Sequence, residues 1–191
     1  MAIEKDGILW PSVTEVLRAA GLSEAPYPSP AMARGLVRGR ALHLAIQYHD
    51  EGALDLASLH PEVEGAFRAY LRFREEVPHR VRATEVTLFH ETWQFCGRPD
   101  RVAYMNGEST AVSILDWKMG DSPDLEAARY QLAAYRVLWD ANSDCPAERC
   151  YAGRRGRDGR YSLHDLTAPE ASQVFLAALI LYRARLRSGR L

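Results

Sequence analysis

Lysine is almost missing from this chain. Of its 24 lysine and arginine residues only Lys5 and Lys118 are lysine, and the other 22 are arginine. Arginine is permanently charged and fork-shaped, whereas an ammonium is compact and shifts its pKa with burial or neighbouring charge. Lys118, in the stretch "ILDWKMG" (Ile114 to Gly120), therefore marks a position whose chemistry a guanidinium does not supply. Net charge is also missing: the formal value is −1. No global field attracts a polyanion, and any nucleic-acid site has to be a local basic patch. Cysteine is scarce, with only Cys96, Cys145 and Cys150. An odd number without CxxC spacing argues against a disulfide framework and against a four-cysteine zinc or iron–sulfur site. No apolar run approaches the ~20 residues of a membrane span. The opening "MAIEKDGILW" is acidic and has no signal-peptide core, so the expectation is a cytoplasmic protein without membrane association.

What is present fits one globular domain, since 191 residues at 47% hydrophobic can enclose a sizeable core. The expected division is an N-terminal helix and proline-rich connector over 1–30, a core over 31–166 and a C-terminal helix over 167–191. In "WPSVTEVLRAAGL", Ser12 and Glu15 form a capping box and Gly21 a stop, which predicts a short helix. "SEAPYPSP" carries Pro26, Pro28 and Pro30 and predicts an extended connector. Helical patterns follow from Ala31 to about His49 and from about Pro61 to Glu76. "RVRATEVTLFH", "WQFCGRPDRVAYM" and "TAVSILDWK" are rich in β-branched and aromatic residues and predict three consecutive strands. Asn106-Gly107 is the hairpin signal between the last two. In "TAVSILDWK" both alternating sets are apolar, Val112 and Ile114 on one face, Leu115 and Trp117 on the other, so this strand is covered on both sides. Asp124 caps a strong helix, "DLEAARYQLAAYRVLWDA". A basic hairpin around Asp158-Gly159 and a C-terminal amphipathic helix complete the chain. The order predicts an α/β domain with a mixed central sheet flanked by helices.

Asp116 and Lys118 are two residues apart and project from one face of a strand. Upstream, "GRPDRV" places Asp100 in the preceding strand. Parity decides whether the two aspartates meet. A two-residue loop, Asn106 and Gly107, sets Asp100 opposite Ser113 and turns Asp116 to the other face. A three-residue loop sets Met105 opposite Ser109 and Asp100 opposite Ile114, so that Asp116 shares its face. A shared carboxylate site therefore requires an odd loop or a bulge. Two converging carboxylates make an oxygen-rich site suited to Mg²⁺ or Mn²⁺.

Pro99-Asp100 followed by Asp116-x-Lys118 resembles the signature of the PD-(D/E)XK nuclease superfamily. "GRALH" (Gly39 to His43) before it and "QLAAY" (Gln131 to Tyr135) after it are similar to additional motifs of the RecB-like and phage-exonuclease branch, and the opening "WPSVTEVLRAAGL" resembles the start of phage-type members. Together these cover about residues 9 to 140. The resemblance implies a restriction-endonuclease-like core and a metal-dependent DNA exonuclease. It assigns the metal to His43, Asp100, Asp116 and the main-chain carbonyl of Trp117, with Glu85 as a further carboxylate. Lys118 would orient or deprotonate the attacking water, with a pKa depressed beside the metal. Gln131 and Tyr135 would position the DNA backbone and the lysine. Helicase-associated members carry a four-cysteine iron–sulfur cluster, and none is expected here.

For phosphate contacts the candidates are Arg34, Arg38 and Arg40 beside His43, and Arg154, Arg155 and Arg157 of the basic hairpin together with Arg149 and Arg160. A solvated turn accounts for the hairpin arginines equally well. Arg183, Arg185 and Arg187 complement the dipole of the last helix. Rival readings are an endonuclease of restriction or repair type on the same core, and an inactive nucleic-acid-binding module. The expected partner is DNA with single- or double-stranded ends, any helicase or annealing activity coming from a recombination partner.

Overall fold

The structure is a computed structural model that describes residues 2–23, 30–107, 110–119 and 124–189. The N-terminal segment pairs with itself before any helix begins. β1 (Ile3–Lys5) and β2 (Ile8–Trp10) form a hairpin around Asp6 and Gly7, both at positive φ, 53° and 74°. Asp-Gly is a favoured pair for such a turn, a signal that the sequence reading passes over. Ser12 then caps α1 (Val13–Ala19), its Oγ accepting from the Glu15 N–H at 3.3 Å. The Glu15 carboxylate accepts from the Tyr182 hydroxyl at 2.9 Å, which ties the first helix to the last.

The prolines at 26 and 28 lie outside the described residues, and Pro30 begins α2 (Pro30–Asp50). A 3-10 turn at Leu56–Ser58 leads to α3 (Pro61–Glu76), which has proline in its first turn as the sequence predicts. The first two expected strands are each broken in two. β3 (His79–Thr84) and β4 (Leu88–His90) are separated at Glu85, which has a φ of 49°. β5 (Phe95–Gly97) and β6 (Arg101–Met105) are separated around Pro99, which has no N–H to give a ladder. β4 and β5 pair with each other, and Cys96 of β5 also bridges to Ser12.

β7 (Val112–Met119) is the central strand of a five-stranded mixed sheet. It is followed by α4 (Leu125–Asp140), β8 (Ala147–Arg155), β9 (Tyr161–Asp165) and α5 (Pro169–Arg187), and the sheet order is β3-β6-β7-β8-β9. β7 runs antiparallel to β6 and parallel to β8, with α4 as the crossover a parallel pair requires. Both faces of β7 are buried, as its two apolar sets predict. Val112 and Ile114 pack into a core with residues of α1, α4 and α5, while Leu115 and Trp117 pack with Phe73, Ala103 and Met105. α1, α4 and α5 thus cover one side of the sheet, and α2 and α3 contribute to the other.

The β6–β7 register is Arg101↔Leu115, Val102↔Ile114 and Ala103↔Ser113. One step further, Asp100 falls opposite Asp116 rather than Ile114, two residues from the three-residue-loop expectation but with the same parity. The connection is longer than that reading allows, and the proposed Met105–Ser109 pair lies outside the described residues. Asp100 lies just beyond the ladder, close enough to Asp116 for the charge of one to act on the other.

Candidate active site

The β6–β7 ladder ends at the point where the site begins. Beyond Arg101 the chain turns away through Pro99 and Asp100, and the Trp117 N–H donates to the Asp100 carboxylate at 2.7 Å. An orphaned strand amide is thereby satisfied by a side chain, which fixes one oxygen of Asp100 and leaves the other facing a crevice. On the α4 side, Lys118 Nζ lies 2.7 Å from Asp116 Oδ2 and donates to Gln131 Oε1 at 3.0 Å. The Gln131 amide donates to the Tyr135 hydroxyl at 2.8 Å and lies 3.3 Å from Asp116 Oδ1. Gln131 and Tyr135 are one turn apart on α4, whose start is set by Asp124 accepting from the Ala127 N–H. Gly97 permits their approach: a Cβ there would lie 2.8 Å from a Tyr135 ring carbon.

Burial works against the Lys118 ammonium, but the Asp116 charge and hydrogen bond, with Asp100 behind them, leave its pKa above the ordinary lysine value. Burial, and then the Asp116 charge, push the Tyr135 hydroxyl upward. Asp100 is pushed up to about 6 by burial and by the charge of Asp116. Two neighbouring carboxylates disfavour full ionisation of the pair.

The second half of the site comes from α2 and the end of β3. His43 Nδ1 lies 2.8 Å from Glu85 Oε1 and 3.8 Å from Asp100 Oδ1. His43, Glu85 and Asp100 each offer one ligand atom within 4.8 Å of the others. A bulge between Val81 and Ala83 and the left-handed backbone of Glu85 aim this carboxylate inward. Glu85 N–H also bonds the Asp100 carbonyl at 3.2 Å, and Arg98 Nε lies 3.0 Å from the other Glu85 oxygen. A buried brace holds α2 against β6: Arg101, 2% exposed, pairs with Asp50 at 2.5 Å, and Asp50 also accepts from Arg74 and Tyr70. Arg101 follows Asp100 directly in sequence but turns to Asp50 on the α2 side of the sheet.

One nitrogen and several carboxylate oxygens, crowded enough to raise the Asp100 pKa, are a donor set that fits a hard divalent cation. His43, Glu85 and Asp100 form this cluster. Asp116 lies next to it but is engaged by Lys118, and Trp117 is held there through its amide.

The arginines divide. Arg40 lines the crevice of about 650 Å³ that also contains His43, Asp100, Lys118 and Arg98. Arg38 and Arg34 lie on another face of α2, along a groove toward α3, where Arg38 meets Glu62 at 3.4 Å. A helix turns 100° per residue, so neighbours in sequence part company. Arg154 is paired in register with Lys118, and Arg157 and Arg160 are exposed at the hairpin. Arg149 pairs with Asp165 at 2.9 Å. Arg155 is 1% exposed and lies inside the crevice wall, not on a solvated hairpin, and burial lowers its pKa to about 10. Arg183 and Arg185 do more than complement a dipole, since they bond the carbonyls of Gln94 and Ala19 at 3.1 and 2.5 Å.

A mixed sheet whose central strand presents a carboxylate and a lysine to an acid-lined crevice defines an α/β protein with a nuclease core. Residues 55–181 match the model of the PD-(D/E)XK nuclease superfamily, and the chain belongs to that superfamily. Solved structures share the fold at low identity. The "Putative exonuclease" of Eubacterium rectale is 11% identical, with 95% of this chain and 82% of that one covered and a TM-score of 0.57. The alkaline exonuclease LHK-Exo of Laribacter hongkongensis, in complex with dAMP, is 14% identical over 95% and 89%, with a TM-score of 0.53. No curated protein matches the chain.

Proposed function

We propose that this nuclease is a divalent-metal-dependent exonuclease of the RecB-like or phage type that hydrolyses DNA from its ends, in recombination, repair or phage DNA processing. The observation that carries the reading is the convergence on one crevice of the His43, Glu85 and Asp100 cluster with a lysine held against Asp116. The dAMP bound by the structurally similar LHK-Exo supports a deoxynucleotide substrate.

His43, Glu85 and Asp100, with Asp116 and the Trp117 carbonyl beside them, would hold Mg²⁺ or Mn²⁺. When bound, the ion supplies positive charge and Lewis acidity at the phosphoryl group. Lys118, held between Asp116 and Gln131, would orient or deprotonate the attacking water and offset developing negative charge. Gln131 holds the ammonium on one side and Asp116 on the other. In the reaction the water oxygen bonds to phosphorus, one P–O ester bond breaks, and a proton passes to the leaving oxygen. Arg40, Arg154 and Arg157 would grip flanking phosphates.

The test is degradation of end-labelled linear single- and double-stranded DNA, with a closed circle alongside, in Mg²⁺ or Mn²⁺, by wild type and Lys118→Ala. Loss of linear DNA alone, abolished by the substitution, supports the exonuclease. Cutting of the circle turns the reading to an endonuclease, and DNA binding without cleavage turns it to a binding module.

A further inference from the structure

Arg155 has no part in the mechanism above, yet its position is unfavourable unless something compensates it. It lies on the α2 and α3 side of β8, its guanidinium carbon 5.1 Å from the centroid of the Trp117 ring. Its Nη2 is 3.4 Å from His43 Nε2, its Nε has no hydrogen-bond partner, and among the described residues no carboxylate lies within ion-pair distance of it. Arg101, the other buried arginine among the described residues, is matched by Asp50. Asp100 and Asp116 act on Arg155 only from a distance, and a buried guanidinium with no carboxylate in contact is costly; replacing such a group by an apolar one of similar volume is often neutral or stabilising. The place of Arg155 in the crevice wall, with a donor left unspent, points to an anion bound in the crevice.

The crevice supplies the place for one. Arg155 lines it together with His43, Asp100 and Lys118, and the wall at Gly39 carries no side chain, with nothing within 4 Å of a Cβ built there. A guanidinium presents paired donors that match two phosphate oxygens, which an ammonium does not. We propose that Arg155 binds the phosphoryl group undergoing hydrolysis, as a fork on its non-bridging oxygens, from the side of the sheet opposite Lys118. This rests on the nuclease reading. A terminal phosphate monoester has the same chemistry, so 5′-phosphorylated and 5′-hydroxyl ends are compared.

Arg155→Met, which keeps an apolar stem over Trp117, and Arg155→Lys are measured for melting temperature, for binding of inorganic phosphate in EDTA, and for single-turnover cleavage of both kinds of end. The expectation for Arg155→Met is a melting temperature no lower than wild type, weakened phosphate binding, and cleavage slowed by about 100-fold, the scale of losing a preorganised donor. Both ends should be affected equally. Arg155→Lys should retain phosphate binding and recover only part of the rate. A fall in melting temperature with cleavage per folded molecule retained overturns the proposal. So does a loss confined to 5′-phosphorylated ends, or wild-type cleavage by Arg155→Lys, which decides the matter should Arg155→Met not fold. If wild type cleaves nothing, the nuclease reading fails separately. Phosphate binding then still decides Arg155, and binding unchanged in Arg155→Met overturns its anion role.

Discussion

Gly153→Ala offers a sharp test of how the site is braced from behind. Gly153 pairs with Trp117 across β7 and β8, and a methyl there would lie 2.1 and 2.2 Å from two indole ring carbons and 2.8 Å from a third. Carbon atoms rest about 3.5–4.0 Å apart, so the ring has to move by roughly 1.5 Å. It is not free to do so: its edge packs on Phe73 at a centroid distance of 4.7 Å, and Arg155 lies over it. Overpacking a filled core costs about 1–3 kcal/mol, and two ring carbons at clashing distance put this case near 3 kcal/mol. For a chain of this size each kcal/mol lowers the melting temperature by about 2–4 °C, so a fall of about 6–12 °C is expected. Because Trp117 separates Asp116 from Lys118, DNA cleavage should fall as well. The assay is a double-mutant cycle by urea and thermal unfolding. Trp117→Leu alone opens a cavity, but Gly153→Ala in that background fills vacated space and should be nearly neutral. A coupling of about 2–3 kcal/mol is expected between them. Additivity within about 0.5 kcal/mol would refute the reasoning.

Further outcomes follow from the carboxylates and their neighbours. Asp100 binds its proton more tightly in the folded chain than in the unfolded one, through burial and the Asp116 charge, so its ionisation costs the fold stability as pH rises through about 6. In EDTA, Asp100→Asn should therefore outlast wild type in urea above pH 6, with the advantage shrinking toward pH 4; a pH-independent difference would sink this account. Mn²⁺ at about 100 times its Kd should stabilise wild type by about 2.7 kcal/mol and His43→Ala far less, and equal thermal shifts would place the ion elsewhere. Asp50→Ala strands the buried Arg101 charge and should cost about 3–5 kcal/mol by urea midpoint, a loss below about 1 kcal/mol ruling out the brace. Tyr135→Phe removes one hydrogen bond to Gln131 and should slow cleavage by no more than about 10-fold, whereas complete loss would give the hydroxyl a direct part in the chemistry.

The helices and the central strand were legible because their signals are local. α3 begins at its proline, α4 begins at Asp124, and β7 carries apolar residues on both alternating sets. The break between β3 and β4 was not legible, because at Glu85 it is a backbone conformation that no residue type demanded. Parity was decidable in advance only as a condition: Asp100 and Asp116 share a face if the connection has the right oddness, and its length depended on how β6 and β7 slide.

From its sequence alone this chain determined the inventory of the site: a solitary lysine two residues after Asp116, a histidine on a helix, a Pro-Asp pair and a glutamine one turn from a tyrosine. Helical and strand periodicity set which of these share a face. Tertiary structure decided which of the neighbouring arginines meet them. Arg38 turns to Glu62 while Arg40 enters the crevice, and Arg155 is buried beside His43 while Arg157 stays in solvent. Those outcomes depend on how α2 is rotated against the sheet and on which side of β8 is covered, and contacts between residues far apart in the chain set both.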